Sequence, residues 1–474
     1  MSELRRRAVE GSLYLSLRRV FTIALSIAGM LYVTRIIGPA NYGLYASAMG
    51  VYMYLTQLVS MGVRTYLIRA PQDSPREIWH QAFWWLLGFG CALTVAAVAA
   101  LWLLGAFWIR TEGFFVVATA ISVGLPLHAV SIVAQAALEK ALRYKRIALI
   151  DTLAQVGSYA VSIPMALLGF GVWALVAAYW AAQLVSFTLA FASARYAPRW
   201  FWNRDLLRDL LRFSLAQAAS EWLYNAKNLA PALVLLPLAG KEAVGYLTLA
   251  ERLLNMLNFA QIAIRNVTTA VFARVQDQPS KLLHALYVSS QAQILSLGGA
   301  CLLFVLSAWY VLPPIFGAQW DIRLAILALA LLASEQLLTT IFSAQAQALY
   351  VIRQPHVVTR AALVFVFNLY WSTTLFTYFA PEGYAVLGYG VAYFLAHLPN
   401  NVFLHRGVAR FLGQPRYGMN LLWAVALGVA LFAPVAYYMP LLALGVFLLP
   451  ASRGALRELL HEVRALRTQS QGGI

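Results

Sequence analysis

Apolar residues run down almost the whole chain in blocks of about 20, separated by short polar or basic turns. That is the pattern of successive membrane-crossing helices, since about 20 apolar residues cover the hydrocarbon core. The first block, 13–34, follows the basic stretch MSELRRRAVEGS. No small-x-small cleavage site precedes the next apolar run, so the block reads as a first transmembrane helix and not as a removed signal peptide. Further spans are expected near 43–67, 81–106, 115–138, 151–170, 173–194, 213–237, 244–270, 285–310, 324–346, 361–380, 385–404, 418–436 and 438–452. The expected fold class is therefore an all-α polytopic membrane protein with 14 spans. Twelve is the lower count, because the segment 419–449 is short for two crossings.

Composition narrows this further. With 61% hydrophobic and 11% charged residues and a mean hydropathy of +0.70, a water-soluble globular protein and a disordered basic tail are both excluded. The balance of 35 Lys+Arg against 18 Asp+Glu, a net +17, first suggests an acidic partner. Sorting the basic residues by loop changes that. With the N-terminus inside, 25 fall in alternate inner segments and four in outer loops (Arg35, Arg110, Lys241, Arg323). The charge is an orientation signal. It predicts a multi-pass protein of the plasma (inner) membrane with both termini cytoplasmic, surrounded by membrane lipids and without a nucleic-acid partner. Six basic residues remain in or at the rim of apolar stretches: Arg18, Arg19, Arg64, Lys227, Arg252 and Arg265. Cys91 and Cys301 stand in apolar runs and can build neither a disulfide framework nor a metal cage.

Self-comparison divides the chain. Gly38-Pro-Ala-Asn-Tyr-Gly43 and Gly240-Lys-Glu-Ala-Val-Gly245 share a Gly-x4-Gly spacing. Gln72-Asp-Ser-Pro75 pairs with Gln276-Asp-Gln-Pro279, Gly105-Ala-Phe-Trp108 with Gly317-Ala-Gln-Trp320, and Ala134-Gln-Ala136 with Ala344-Gln-Ala346. The offsets are 202, 204, 212 and 210, in chain order and on matching sides of the membrane. Six spans separate equivalent points, so the repeat is parallel, about an axis along the membrane normal. The expected domains are an N-terminal six-helix lobe at 1–200 and a C-terminal six-helix lobe at 201–411. Two extra helices and a basic tail follow at 412–474. The aromatic and basic stretch 195–212 (RYAPRWFWNRDLLRDLLR) reads as an amphipathic segment on the inner leaflet.

The stretch Thr34-Arg-Ile-Ile-Gly-Pro-Ala-Asn-Tyr-Gly-Leu-Tyr-Ala46 resembles the signature after the first helix of polysaccharide-biosynthesis flippases. These are the O-antigen, teichuronic-acid and exopolysaccharide exporters of the multidrug/oligosaccharidyl-lipid/polysaccharide superfamily. Gly245-Tyr246 with Ala250-Glu251-Arg252-Leu253, and Phe316-Gly317-Ala-Gln-Trp320, are similar to further runs of that family. The resemblance covers about residues 10–420. It implies twelve core helices in two lobes around a V-shaped cavity, as in multidrug exporters of the superfamily. It also implies alternating access, and a polyprenyl-diphosphate-linked oligosaccharide moved from the inner to the outer leaflet as cargo. A glycan polymerase or export machinery would then be a partner, and the chain itself a monomer.

An ionisable group inside a bilayer is costly and is a site hypothesis by default. Gln217, Glu221, Tyr224 and Asn228 fall within about 60° on one face of the seventh span, and Glu251, Asn255, Asn258 and Arg265 within about 80° on the eighth. These stripes read either as the lining of a cavity or as structural pairs (Glu221–Arg265, Glu251–Arg252). In the first case Arg265 and Arg252 attract diphosphate and the amides contact sugar hydroxyls; the planar guanidinium fork binds two phosphate oxygens at once. Arg18 and Arg19 lie about 9–10 Å into the first span and either snorkel or join the cavity, Arg19 being favoured. Arg64 reads as snorkelling. Lys227 lies about 80° off the Gln217–Asn228 stripe and reads either as part of the cavity lining or as a group outside it. Glu335, mid-span, reads either as a coupling acid or as a partner in an interhelical hydrogen bond, alongside the structural acids Glu221 and Glu251, so H+ or Na+ coupling is open. Asp151 reads as a helix-start acid, and His128 and His397 as packed core residues. There is no Walker A loop, dinucleotide turn, Asp-x-Asp pair or Cys/His metal spacing. The expectation is a transporter, not an enzyme, with no cofactor or metal and no ATP bound to this chain. The alternatives are a cation-coupled drug or lipid exporter of the same superfamily, with an acid-lined cavity, and, behind it, a membrane glycan polymerase.

Overall fold

In the computed structural model, residues 2–71 and 76–471 are described, with side chains described for 29–71, 76–215, 218 and 221–462. Among them the chain forms 17 α-helices. The first, α1 (Ser2–Ser60), carries one non-helical residue, Gly38. Then come α2 (Val63–Arg69), α3 (Glu77–Phe107), α4 (Phe114–Ser122), α5 (Leu125–Lys140), α6 (Tyr144–Leu167), α7 (Val172–Ala194) and α8 (Arg204–Asn225). A 3-10 turn (Ala226–Leu229) and a π turn (Pro231–Leu235) lead into α9 (Leu236–Leu257). The remainder are α10 (Phe259–Arg274), α11 (Pro279–Phe316), α12 (Ile322–Val351), α13 (Pro355–Tyr378), α14 (Ala385–Phe411), α15 (Gly418–Ala430), α16 (Met439–Leu448) and α17 (Pro450–Gln471).

Packing divides the chain into two units, one of residues 1–237 with 315–319, the other of 238–314 with 320–474. The first unit runs past residue 200 because α8 and the turns after it are bonded to earlier helices. Trp222 donates its indole N–H to the Gln57 carbonyl at 2.9 Å, and Trp108 donates to the Leu233 carbonyl at 2.6 Å. The Asn228 carbonyl packs so closely on Gly50 that a Cβ there would lie 2.8 Å from it. The core of this unit is built on α4 and α5, where Val117, Ala118, Ile121, Leu125, Ala129 and Val133 are buried. In the second unit α12 has the same part. Its stretch 325–333, AILALALLA, is apolar all round, which is the mark of a helix enclosed by others, and Ala325 to Ala330 and Ala344 to Leu349 are largely buried.

By length and hydropathy eight helices qualify as membrane spans among the described residues, or nine if the bent pair α16–α17 is one span. α14 falls below that mark because His397, Asn400, Asn401, His405 and Arg406 interrupt it. α15 has 13 residues, about 20 Å at 1.5 Å per residue, short of the ~30 Å hydrocarbon layer. α16 has 10 residues and meets the start of α17 at 72°.

Two breaks tie the sequence repeat to backbone geometry. The segment after the first span is not an open loop: α1 resumes at once, and only Gly38 (φ 73°, ψ 172°) leaves helical values. Gly240 does the same inside α9, with φ 80° and ψ 177°. This region of positive φ and extended ψ is essentially reserved for glycine. The two glycines are the first residues of the Gly-x4-Gly pair, so the match with an offset of 202 coincides with a repeated conformation. The Gln72–Pro75 partner of the second match lies outside the described residues.

Candidate functional site

In the first unit the seventh span is helical only to Asn225. Glu221 and Tyr224 therefore share a face as the 100° spacing predicts, but Asn228 sits in the 3-10 turn, where that spacing no longer applies. The break gathers polar groups. Lys227 donates from Nζ to the Tyr224 hydroxyl at 2.9 Å and lies 4.1 Å from the centroid of its ring, a cation–π contact. Asn228 donates to Asn225 Oδ1 at 3.5 Å, and Asn225 donates to the Glu221 carbonyl at 2.8 Å. Asn225 stands off the polar stripe because it lies about 100° from Tyr224 on a regular helix. Glu221 and Tyr224 are exposed; Lys227 and Asn228 are half-buried. The side chains of Arg18, Arg19 and Gln217 lie outside the described residues.

Arg64 is paired. Its Nε donates to Glu139 Oε2 at 2.9 Å and its Nη2 to Oε1. The bidentate fork joins α2 to the end of α5 and replaces the snorkelling expected from its position near a span end. Glu139 was hidden by sequence distance, 75 residues away.

In the second unit the eighth span is also interrupted, at Asn258 between α9 and α10. The break separates Glu251, Arg252 and Asn255 on one helix from Arg265 on the next, so one continuous face does not describe them. Glu251 and Arg252 are half-buried, while Asn255 and Arg265 are exposed. Asn258 keeps a buried Oδ1 without a hydrogen-bond partner at the break. One turn beyond it, buried Gln261 donates to Thr340 Oγ1 on α12 at 2.6 Å. Thr340→Val, which strands the Gln261 amide, is expected to cost about 1–2 kcal/mol in detergent unfolding, and Thr340→Val with Gln261→Leu less.

Glu335 is buried on α12, and His397 on α14 is its neighbour, not an isolated core histidine. His397 Nδ1 lies 2.9 Å from Glu335 Oε1 and 3.2 Å from the Tyr393 carbonyl. A carbonyl only accepts, so Nδ1 carries the hydrogen, directed to Tyr393. Glu335 Oε1 is then held close to the ring without a directed hydrogen bond. The imidazole stacks on Phe365, with centroids 4.1 Å apart. Its other side faces a cavity of about 390 Å³ lined by Leu338, Phe342, Phe394, Asn401, His405 and Tyr417, among others. There Gln345 donates to the Tyr417 hydroxyl at 2.9 Å, which leaves that hydroxyl's proton for His405 Nδ1 at 2.5 Å. His397 thus stands between an enclosed acid and an open cavity. Periodicity could not find this pairing, because the partners are 62 residues apart on different helices. Among the described residues, no three His, Cys, Asp or Glu side chains converge as metal ligands.

Comparison with known proteins places this geometry. The family profile described as "Polysaccharide biosynthesis protein" matches residues 32–324. The succinoglycan biosynthesis transport protein ExoT of Rhizobium meliloti (strain 1021) is 26% identical over 326 residues, 67% of this chain; the chain spans 64% of that relative's length. Among solved structures, the lipid II flippase MurJ in an inward closed conformation superposes with a TM-score of 0.66 at 11% identity, covering 93% of this chain and 99% of MurJ. An inward-facing MATE-family multidrug resistance transporter of the MOP superfamily gives 0.60 at 16% identity, covering 86% and 95%. The fold is that of these transporters, and with eight long apolar helices the chain is a multi-pass membrane protein.

Proposed function

The chain belongs to the polysaccharide biosynthesis protein family, and we propose that it is a flippase that carries a polyprenyl-diphosphate-linked oligosaccharide from the inner to the outer leaflet by alternating access. Membership over residues 32–324 carries the reading. The name of ExoT, a transport protein of succinoglycan biosynthesis, supports a glycan cargo. The six-helix repeat, the inner-membrane location and the cytoplasmic termini rest on the sequence repeat and on the distribution of basic residues. The chain transports and does not catalyse a covalent step.

Arg265 and Arg252, on either side of the Asn258 break, are assigned to the diphosphate, with Asn255 and Asn258 toward sugar hydroxyls. On the first unit, Arg19, Arg18, Gln217, Lys227 and Asn228 are assigned to substrate as a cationic and amide set of their own. A charge-assisted bond to phosphate contributes about 1.5–3 kcal/mol. Arg265→Ala is therefore expected to lower export about ten-fold or more at equal protein level, read as accumulation of cytoplasmic-facing lipid-linked glycan, with Arg265→Lys intermediate. Unimpaired export in Arg265→Ala sinks the diphosphate assignment.

The driving force is assigned to protons exchanged at Glu335 through His397. A buried acid is a proton carrier when access to it alternates, and the imidazole links Glu335 to the cavity. A cation-coupled exporter of another substrate is the second reading, supported by that same acid. It predicts that Glu335→Gln abolishes transport while Arg265→Ala does not.

A further inference from the structure

The stretch 195–212 does not lie as one amphipathic helix. Residues 196–203 are a strap without regular structure, and α8 begins at Arg204. The strap is bonded along the first turns of α3. Arg199 donates its backbone N–H to His80 Nδ1 at 3.2 Å, and the Tyr196 hydroxyl reaches the same nitrogen at 3.0 Å. Trp84 Nε1 donates to the Arg199 carbonyl at 2.9 Å, and the Asn203 N–H donates to buried Gln81 Oε1 at 2.7 Å. Asn203 Oδ1 then caps α8 by accepting from Asp205 and Leu206 N–H. Backbone held at three atoms, with the Tyr196 side chain as a fourth tie, in a segment without regular structure is preorganised, so what it presents is fixed in place.

It presents two kinds of group. Trp200 stands outward, 74% exposed although its ring meets Trp84 at 4.8 Å, and Trp202 is 48% exposed. Beside them Arg204, Arg208 and Arg212 recur every four residues, a stripe about 80° wide on α8. With Leu207 and Leu211 these arginines line an open cleft of about 580 Å³. Asp205 and Asp209 follow on the side of the stripe away from the leucines. Five arginines against two aspartates leave the stretch 195–212 cationic. Tryptophan belongs at the boundary between headgroups and acyl chains, and arginine beside it meets phosphate oxygens.

We propose that this strap and the first turns of α8 form a docking surface for anionic membrane lipid. Trp200 and Trp202 sit at the acyl boundary, and Arg204, Arg208 and Arg212 hold phosphodiester headgroups over an apolar floor of Leu207 and Leu211. The occupant is bulk anionic lipid of the adjoining leaflet and not the diphosphate of the cargo. Charge complementarity and the paired indoles favour lipid; a soluble anion would leave the indoles unused.

The test uses the purified full-length protein in detergent, titrated with dioleoyl phosphatidylglycerol or dioleoyl phosphatidylcholine and read by native mass spectrometry. The wild type is expected to prefer phosphatidylglycerol. The R204A/R208A/R212A variant is expected to lose most of that preference, on the order of 100-fold at roughly five-fold per arginine near a membrane surface. R204K/R208K/R212K retains it, which separates lost charge from lost fold. W200A/W202A is expected to weaken retention of both lipids. An unchanged phosphatidylglycerol preference in the triple alanine variant overturns the proposal.

Discussion

His397→Ala is expected to destabilise the protein by about 1–3 kcal/mol, because it removes the ring stacked on Phe365 and leaves the buried Glu335 carboxyl without its nearest polar neighbour. The lost packing and the lost bond to the Tyr393 carbonyl set that scale. Glu335→Gln keeps the shape of the side chain and abolishes its capacity to exchange a proton. It is expected to leave the unfolding midpoint close to wild type while proton-driven export is lost. The double variant Glu335→Gln/His397→Ala should recover only the part of the stability that comes from the unpartnered carboxyl charge, and none of the export. Unfolding of all three in detergent, beside export driven by an imposed proton gradient in proteoliposomes, makes a complete cycle. Wild-type export in Glu335→Gln removes the acid from the coupling path. A cost below about 1 kcal/mol in His397→Ala removes the histidine as its necessary partner.

The second large effect is at the repeated glycine. Gly38→Val is expected to cost about 3 kcal/mol, at the upper end of what a disallowed backbone conformation stores, since φ 73° with ψ 172° excludes a β-branched side chain. Gly38→Ala also meets Gln319, whose Oε1 would lie 2.5 Å from the new Cβ, while nothing lies within 4 Å of a Cβ at Gly240. Gly240→Ala should therefore show the backbone cost alone, about 1–3 kcal/mol, and Gly38→Ala more. Adding Gln319→Ala to Gly38→Ala should remove the difference between the two sites and leave the shared part. Equal midpoints for Gly240→Ala and wild type would show that the backbone there relaxes into helix.

Both glycines were legible as a spacing before they were visible as a conformation. What the spacing could not show is that the chain turns at a single residue instead of through a loop. Asn41 and Tyr42 are already helical, and Tyr42 is buried. The polar stripes were legible as far as each helix stayed regular. Glu221 and Tyr224 keep their face, and Asn228 leaves it in a 3-10 turn, because 100° per residue is a property of an unbroken α-helix. Breaks at Asn258 and after Asn225 carry no Gly or Pro of their own (Pro231 follows only in the π turn), so the usual breaker signals were missing.

By itself, the sequence determined that this chain is helical and lies in a membrane; the way it faces and a repeat of its halves are expectations that rest on loop charge and spacing. These follow from quantities summed over many residues: runs of apolar side chains, loop charge and recurring spacing. Pairing was decided only by the tertiary structure. Arg64 meets Glu139, Gln261 meets Thr340, and Glu335 meets His397 across 62 to 79 residues of chain. A buried polar group is satisfied by whichever helix packs beside it, and that neighbour is set by the fold, not by its distance along the chain.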